Sequence, residues 1–202
     1  MAAPAPTPTR APGPSSGPLR CPWARGELLT AYHDQEWGVA TSRRRAHFEL
    51  ISLEGAQAGL SWLTILRRRP AYRRLMLGFD ATRLAALGPE QVEMWLRDPG
   101  LIRNRAKLSS VLGNARAFLE IEGSWGSFDA YLARGVGLTP VRNHWRRAEQ
   151  VPAQTEDSRR LSRDLRRRGF RFVGPTICYA YMQSVGLVND HLQECYRWAE
   201  LD

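Results

Sequence analysis

Residues 99–105 read PGLIRNR and form the turn that decides the fold, because they separate two stretches with helical periodicity. GPEQVEMWLRD (88–98) precedes the turn, and NRAKLSSVLGNARAFLEI (104–121), the longest helical stretch, follows it. A tight turn at Gly100 would expose backbone N–H groups at the start of the second helix. Such N–H groups bind phosphate oxygens, and the helix dipole assists them.

Two arginines, Arg103 and Arg105, would add positive charge beside these N–H groups. This arrangement is typical of a helix–hairpin–helix element, which binds the DNA backbone without reading its sequence. A plain turn between two helices gives the same pattern, since short glycine turns are common. The stretch therefore predicts two helices and leaves both interpretations of the turn open.

The chain on the N-terminal side of this turn also has helical periodicity. Ser42 is expected to cap a helix that contains Phe48, Ile51 and Leu53. SWLTILRRRP (61–70) predicts a second helix, and its proline is expected to begin a third.

The C-terminal side continues the pattern, with Ser158 expected to cap a helix that Gly169 ends. FVGPTICYAYMQSVGLV (172–188) predicts a mostly apolar core helix. A last short helix is expected to hold His191 and Cys195, with Asn189 and Asp190 as its caps. No strand-like alternation is evident. The prediction is an all-α domain over residues 20–202, which could form two helical lobes.

Charge is the clearest feature of the composition. The 202 residues contain 29 Lys and Arg against 20 Asp and Glu, which gives a net charge of +9. All of the basic residues except Lys107 are arginines. An excess of this size indicates a polyanionic partner, most often nucleic acid, although a solvated basic surface is the simpler alternative. For the arginine-rich residues 142–171, a solvated face is the preferred interpretation.

The remaining composition excludes several classes of protein. No apolar run approaches the ~18–20 residues that span a bilayer. The proline-rich residues 1–19 lack the apolar segment of a secretory signal and are expected to be a disordered tail. Three cysteines cannot form a disulfide framework, and an odd number favours a reducing compartment. We expect a cytoplasmic, monomeric protein.

Four residues of the chain have the side chains of a zinc site. His191 and Cys195 are four residues apart on the predicted last helix, so both would project from one face. Cys21 and His33 lie near the start of the ordered chain. Together they could form a tetrahedral site that joins the two ends of the domain. Two buried thiols and two ordinary histidines remain the alternative, and Cys178 is expected in the core.

Glu54 is unusual because it lies within an otherwise apolar helical stretch. A buried carboxylate is costly unless it has a partner, so it predicts either a structural ion pair or a ligand pocket. Aromatic side chains occur in the same regions, and such rings beside a carboxylate can stack on a flat, cationic ligand. They are Trp23, Tyr32, Trp37, Trp62, Tyr179 and Tyr181.

Taken together, these segments resemble the DNA-3-methyladenine glycosylase I family over about Cys21 to Cys195. The resemblance is specific because the segments occur in the family's order and at compatible spacing. It is carried by AYHDQEWGV (31–39), ELISLEGAQAGLSW (49–62), LIRNRAKLSSVLGNARAF (101–118) and RRRGFRFVGPTICYAYMQSVGLVNDH (166–191).

The resemblance implies an all-α helix–hairpin–helix DNA glycosylase fold and hydrolysis of the N-glycosidic bond of 3-methyladenine in alkylated DNA. It also implies one structural zinc ion that joins the N- and C-terminal segments. Glu54 matches the family's base-recognition carboxylate, and we expect it to be the catalytic group. The implied zinc ligands are Cys21, His33, His191 and Cys195, and the implied aromatic pocket residues are Trp23, Tyr32 and Trp62.

Duplex DNA with alkylated bases is the implied partner, and two segments are expected to contact it. Leu60, beside Gly59 in a turn, is the candidate wedge that fills the gap left by an extruded base. The hairpin is expected to bind DNA through Gly100, Leu101 and Arg103.

The sequence departs from the family pattern at Leu29, where the family has a further pocket aromatic. Glu120 and Glu122 follow the hairpin in the region where many helix–hairpin–helix glycosylases carry a catalytic Asp, but the resemblance gives neither of them a role. Two rival functions are a damage-sensing DNA-binding module and a nucleosidase for small molecules. The pocket set around Glu54 argues against the first, and the hairpin with its basic surface argues against the second.

Overall fold

The structure of the protein is a computed structural model, and it describes residues 17–201. Most of the tail predicted at residues 1–19 lies outside the described residues. Leu19 is already joined to the domain, because its carbonyl accepts a hydrogen bond from the Tyr196 N–H at 3.0 Å. No described helix is long and apolar enough to cross a membrane.

The described chain is predominantly helical, as the sequence predicts. The helices are α1 (Glu27–Gln35), α2 (Arg44–Gln57), α3 (Trp62–Leu75), α4 (Ala81–Ala85), α5 (Glu90–Arg97), α6 (Arg105–Trp125), α7 (Phe128–Ala130), α8 (Glu156–Arg167), α9 (Pro175–Ser184) and α10 (Tyr196–Glu200). Short helical turns follow at Leu77–Phe79, Tyr131–Gly135 and Ala148–Gln150.

Helix α2 is the centre of the domain, and it is buried continuously from His47 to Ala56. It packs against α3, α6 and α9, so its side chains face protein on all sides. The long helix α6 packs against α4 and α5, and α8 covers α9. The buried apolar side chains form one contiguous cluster that extends from Phe48 to Val188. A carboxylate on α2 is therefore surrounded by the core.

Two very short strands were not expected from the sequence. Strands β1 (Val141–Arg142) and β2 (Val188–Asn189) pair in parallel, with Val141 opposite Val188. Two residues are too few to show alternation, so the expectation of no strands was wrong for a reason that the sequence could not reveal. The pair fastens the segment after α7 to the chain beyond α9.

Several predicted helix starts were wrong. Helix α2 begins after Arg43, which gives no side-chain cap, rather than after Ser42. Helix α8 is capped by Thr155, and Ser158 instead occupies the third position and completes a capping box with it. Gly169, just beyond the end of α8, has a φ of +92° and ends the helix as predicted.

Pro70 lies inside α3 and does not begin a new helix. The lost backbone hydrogen bond is tolerated because α3 is anchored on both sides of the proline by the buried residues Arg69 and Tyr72. The helix predicted for His191 and Cys195 was also wrong, since α10 starts at Tyr196 and Cys195 is its N-terminal cap. The segment 190–195 is a turn, and it is shaped by its contacts with the first described residues.

Candidate functional site

A cavity of about 440 Å³ opens between α1, the end of α2, the start of α3 and the segment before α10. Its wall is mostly apolar and contains one carboxylate from α2. The sequence-predicted residues Trp23, Tyr32, Glu54 and Trp62 all line it. The structure therefore brings together four residues that are up to 39 positions apart in the sequence. Further lining residues include Leu29, Trp37, Gln57, Ser61 and Gln183.

The aromatic rings of the cavity are arranged at angles to one another. The Tyr32 and Trp62 rings have centroids 5.2 Å apart with an interplanar angle of 53°. Trp23 contacts the Trp37 ring edge-on at 5.0 Å and lies 6.4 Å from the Tyr32 ring. Since none of these pairs is stacked face to face, ring faces remain available to a flat ligand.

Glu54 reaches the cavity from the central helix and is only 3% exposed. Its Oε2 atom is buried, and no hydrogen-bond partner is found for it within residues 17–201. Burial raises the pKa of this carboxyl to about 8, because the charged form has lost its water. A buried, unpartnered carboxyl beside a cavity is the feature expected of a ligand acceptor rather than of a structural ion pair.

Trp62 and Ser52 also carry a buried polar atom for which no hydrogen-bond partner is found among the described residues. These atoms are Nε1 of Trp62 and Oγ of Ser52. Burial raises the pKa of Tyr32, and the nearby negative charge of Glu54 raises it further. Trp62 is thus a second cavity residue, after Glu54, whose hydrogen bond remains to be made, whereas Ser52 does not line the cavity.

The other aromatic residues singled out in the sequence have different positions. Trp37 lines the cavity, whereas Tyr179 and Tyr181 are buried behind it. The Tyr179 hydroxyl donates to Asp190 at 2.6 Å, and the Tyr181 hydroxyl lies 2.6 Å from Nδ1 of His47. Both tyrosines are therefore structural in this arrangement.

Leu29, Gln57 and Gln183 line the cavity as well, and reasoning from the residues alone singled out none of them. Leu29 appeared only as a departure from the family pattern. Leu29 lies one helical turn before Tyr32, so the periodicity of α1 could have indicated it. The two glutamines had no distinguishing signal in the sequence.

The loop between α2 and α3 carries the predicted wedge at the mouth of this region. Gly59 has a φ of +78°, a value that favours glycine, and it allows the chain to reverse direction. Leu60 is 41% exposed, so its apolar side chain is accessible to a partner. Ser61 then caps α3 by accepting a hydrogen bond from the Thr64 N–H.

The hairpin between α5 and α6 has the predicted form, but its glycine serves another purpose. Gly100 has no positive φ; a Cβ atom there would lie 2.7 Å from Cβ of Ala71 and 2.9 Å from Oδ1 of Asp98. Asp98 also accepts the Gly100 N–H at 2.7 Å, so that N–H is not free for phosphate. Glycine is needed because the hairpin packs closely against α3.

The remaining hairpin residues divide into buried and exposed groups. The Leu101 side chain is 2% exposed and belongs to the core, so only its main chain could contact DNA. Arg103 is exposed, and Arg105 forms an ion pair with Glu93. Asn104 caps α6 by accepting from the Lys107 N–H. Within residues 17–201, the N–H groups of Arg103, Arg105 and Ala106 have no hydrogen-bond partner.

Glu120 and Glu122, the acidic residues that follow the hairpin, do not line the cavity. Glu122 pairs with Arg44, and Glu120 is exposed on α6. The arginine-rich residues 142–171 are consistent with the solvated face that the sequence analysis preferred, because many arginines of α8 form surface ion pairs. These pairs join Arg159 and Arg163 to Glu156, Arg160 to Asp157, and Arg167 and Arg168 to Asp164.

Four buried side chains from the two ends of the domain could hold a metal ion. One ligand atom each from Cys21, His33, His191 and Cys195 lies within 4.8 Å of all the others. Sγ of Cys195 is 3.3 Å from Nε2 of His33 and 3.5 Å from Nδ1 of His191, and Sγ of Cys21 is 3.7 Å from that Nδ1. A tetrahedral zinc site with ordinary bond lengths separates S and N ligands by about 3.6 Å. The residues fit such a site.

Contacts behind the two histidines fix which ring nitrogens face the cluster. Nδ1 of His33 lies 2.8 Å from Oδ1 of Asp34, and Nε2 of His191 lies 3.0 Å from the Trp37 carbonyl oxygen. Both nitrogens donate to these acceptors, which leaves the other nitrogen of each ring as a ligand. Hydrogen bonds from Arg20 hold the pKa of Asp34 well below its usual range, so Asp34 is a carboxylate.

Comparisons with known proteins agree with this arrangement. The sequence profile of the methyladenine glycosylase family matches residues 23–198. DNA-3-methyladenine glycosylase 1 of Escherichia coli is 44% identical over 177 residues, which cover 87% of this chain and 95% of that protein. DNA-3-methyladenine glycosylase of Haemophilus influenzae is 42% identical over 177 residues, with 87% and 96% covered.

Solved structures show the same fold. A crystal structure of 3-methyladenine DNA glycosylase I has a TM-score of 0.84 and 44% identity, and it covers 88% of this chain and 98% of that chain. The enzyme from Staphylococcus aureus, whose structure describes 3-methyladenine recognition, has a TM-score of 0.83 and 30% identity, with 88% and 95% covered.

The hairpin, the aromatic cavity and the shared fold define a DNA glycosylase. The chain belongs to the methyladenine glycosylase family, as its sequence segments predicted.

Proposed function

We propose that this protein hydrolyses the N-glycosidic bond of 3-methyladenine in duplex DNA and that the base enters the cavity around Glu54. The observation that carries this proposal is the buried Oε2 atom of Glu54, which has no partner among the described residues and belongs to an aromatic-lined cavity. The names of the relatives support 3-methyladenine as the base that is released, and one related structure is a complex with 3-methyladenine itself.

The chemistry requires little acid catalysis from the protein. Methylation at N3 gives the base a positive charge, so the C1′–N9 bond can break with its electron pair neutralising the ring. Water then bonds to C1′ and loses a proton, and neutral 3-methyladenine is released. The protein must therefore bind the cationic base, orient it and exclude competing bases, rather than protonate it.

Glu54 suits the first of these tasks. Its pKa of about 8 keeps the carboxyl largely neutral in the empty cavity near pH 7. A cationic base beside it favours the charged form and gives Oε2 the hydrogen-bond donors that it lacks. The ring faces of Tyr32 and Trp62 add cation–π attraction. The attraction is therefore greatest for the alkylated, cationic base and weaker for neutral adenine.

Extrusion of the base is assigned to the loop and the hairpin. The target base must leave the stack to enter the cavity, and a damaged pair costs less to open. Leu60 is exposed at the α2–α3 loop and would fill the vacated space in the duplex. The N–H groups of Arg103, Arg105 and Ala106 at the start of α6 would bind a phosphate without regard to sequence.

We further propose that the Cys21, His33, His191 and Cys195 cluster holds zinc. Zinc is favoured because two thiolates and two imidazoles form a closed tetrahedral set. A closed set leaves no position for water or substrate, so the ion would supply structure and no step of the reaction. The three cysteines are buried and free, which agrees with a reducing compartment. We propose that the protein acts in the cytoplasm as a monomer.

Release of 3-methyladenine from methylated duplex DNA tests the proposed function. We expect chromatography to show free 3-methyladenine and abasic sites in the DNA. Tight binding to the lesion without base release would instead identify a damage-sensing module. Release from the free methylated nucleoside at the same rate as from duplex DNA would identify a nucleosidase and contradict the proposal.

A further inference from the structure

Lys107 joins two parts of the protein that the proposed function uses separately. It occupies the third position of α6, directly after the hairpin, and its side chain crosses to the end of α2. Nζ donates hydrogen bonds to the carbonyl oxygens of Ala56 at 3.0 Å and of Ala58 at 2.5 Å. Ala58 is the C-terminal cap of α2 and immediately precedes Gly59 in the loop that carries Leu60.

These two carbonyl groups lie where α2 ends and its own hydrogen bonding is weak. The capping N–H of Ala58 donates to the Gly55 carbonyl at 3.4 Å, a long hydrogen bond. A cation at a helix C-terminus is favourable because the last carbonyls have no partners within the helix. Lys107 therefore fixes both the end of α2 and the direction in which the wedge loop leaves it.

Among residues 17–201, the ammonium group of Lys107 has two carbonyl partners and no carboxylate partner. It is half-buried, and desolvation lowers its pKa. Lys107 therefore loses hydration in order to contact two neutral carbonyls. Many arginines in the described chain differ from it, because they form salt bridges with carboxylates. A compact ammonium with three donors suits two carbonyls that are two residues apart better than the planar guanidinium fork does.

We propose that Lys107 is a positioning residue that couples phosphate binding at the hairpin to insertion of Leu60 and extrusion of the base. The proposal rests on the hairpin and wedge assignments of the proposed function. The backbone of Lys107 belongs to the first turn of α6, whose free N–H groups the proposed function assigns to phosphate binding. Its side chain holds the carbonyl before Gly59, so docking of the hairpin on DNA sets the position of the wedge loop.

The variant Lys107→Met tests this role because it keeps the length of the side chain and a good helix former. We expect excision of 3-methyladenine from duplex DNA to fall about tenfold, a size typical of coupling between connected sites. Affinity for free 3-methyladenine should change by less than about twofold, since Glu54 is held one turn further inside α2. A duplex with 2-aminopurine beside the lesion should show a smaller fluorescence rise on binding.

Arg116→Met is the matched control. Arg116 also belongs to α6 and donates to two carbonyl oxygens near the end of another helix, those of Ala85 and Leu87. Its replacement removes one positive charge and the same kind of contact, away from the wedge loop. We expect it to leave duplex excision within about twofold of wild type. Equal losses in both variants would overturn the proposal and make Lys107 an ordinary stabilising contact.

A double-mutant cycle with Leu60→Ala distinguishes two outcomes: that Lys107 is not coupled to the wedge, and that Leu60 is not the wedge. If Lys107 acts through the wedge, adding Lys107→Met to Leu60→Ala should cost little more, because coupled residues are not additive. Fully additive losses would contradict the coupling. A Leu60→Ala variant with normal duplex excision would refute the wedge assignment itself, and the coupling proposal with it.

Discussion

Glu54 is a residue whose burial is costly to the fold, and the proposed function gives that burial a purpose. The central helix carries it into the core, where its carboxyl loses water and Oε2 finds no hydrogen-bond partner in the described part of the chain. The loss of water makes ionisation unfavourable and raises the pKa of Glu54 to about 8. In the proposed function, a cationic ring with N–H donors would relieve this cost on entering the cavity, and recognition would use an interaction that the empty protein leaves unmade.

The first prediction at this scale concerns the pH dependence of excision. Because the carboxylate is the form that attracts the cation, kcat/KM should rise with pH to a plateau with an apparent pKa near 8. The pKa seen in kcat should be lower, since bound substrate favours ionisation. Steady-state rates across pH 6–9.5 check this. Glu54→Gln should lack the rising limb, and a limb of the same midpoint in that variant would assign it to another group.

Folding stability should follow the same group. The pKa of Glu54 in the folded protein lies above its ordinary value of 4.5, so the folded state holds the proton more tightly. Its contribution to stability is complete below pH 4.5 and is lost as the pH rises through about 8. Thermal unfolding should show Glu54→Gln equal to wild type at pH 4, more stable than wild type at pH 7, and most clearly so at pH 9. A lower Tm for the variant at pH 9 would indicate a hidden partner for the carboxylate.

At the scale of elements, the sequence predicts helices better than their ends. Long periodic stretches identified α2, α3 and α6, because apolar side chains at helical spacing are a strong signal. Ser42 and Ser158 failed as caps because other backbone positions compete for the same role. Pro70 is inside α3 because tertiary packing outweighs one lost hydrogen bond.

The hairpin illustrates a correct prediction with an incorrect reason. The sequence located the turn, but it could not show that Gly100 packs against Ala71 of α3. Gly100→Val should displace the hairpin from α3 and weaken binding to duplex DNA about tenfold or more, whatever the DNA sequence, because the phosphate-facing N–H groups move. Fluorescence anisotropy with two unrelated duplexes measures this.

The control for this variant is Gly123→Ala, since a Cβ atom at Gly123 of α6 meets nothing within 4 Å. It should bind DNA like wild type. Binding of free 3-methyladenine should survive in Gly100→Val. If free-base binding were lost and duplex binding persisted, the roles of the hairpin and the cavity would be reversed.

At the scale of the whole molecule, the cluster of Cys21, His33, His191 and Cys195 ties the chain ends together. Cys21 and His33 lie at least 158 residues before His191 and Cys195 in the sequence. Such a site cannot be deduced from local spacing, and the helix expected to carry His191 and Cys195 is in fact a turn. Residue types suggested the four residues as a possible set, the family resemblance implied them as ligands, and only the fold shows that their ligand atoms converge.

Metal analysis of the purified protein should find about one zinc ion per chain. Cys195→Ala should abolish this and lower the Tm by several degrees, because metal binding contributes directly to folding. Cys178→Ala is the control, since Cys178 is buried in the core and should leave the zinc content unchanged. Full stability of a metal-free wild-type protein would contradict the structural role.

The pocket, too, was predictable only in part. Glu54 and its aromatic neighbours Tyr32 and Trp62 have sequence signals, because a carboxylate in an apolar helix and a cluster of rings are both unusual. The lining contributed by Gln57 and Gln183 arises from how α2 and α9 meet, and no local pattern records it.

Single-turnover excision of 3-methyladenine from duplex DNA by wild type and Glu54→Gln tests the central claim most directly. Glutamine keeps the shape of the side chain and removes the charge. Loss of a charge-assisted hydrogen bond in a desolvated pocket costs roughly 1.5–3 kcal/mol, or about ten- to a hundredfold in rate. We expect a decrease of that size with unmodified-DNA binding nearly unchanged. Equal excision per folded molecule in the two proteins would show that Glu54 is only a structural carboxyl.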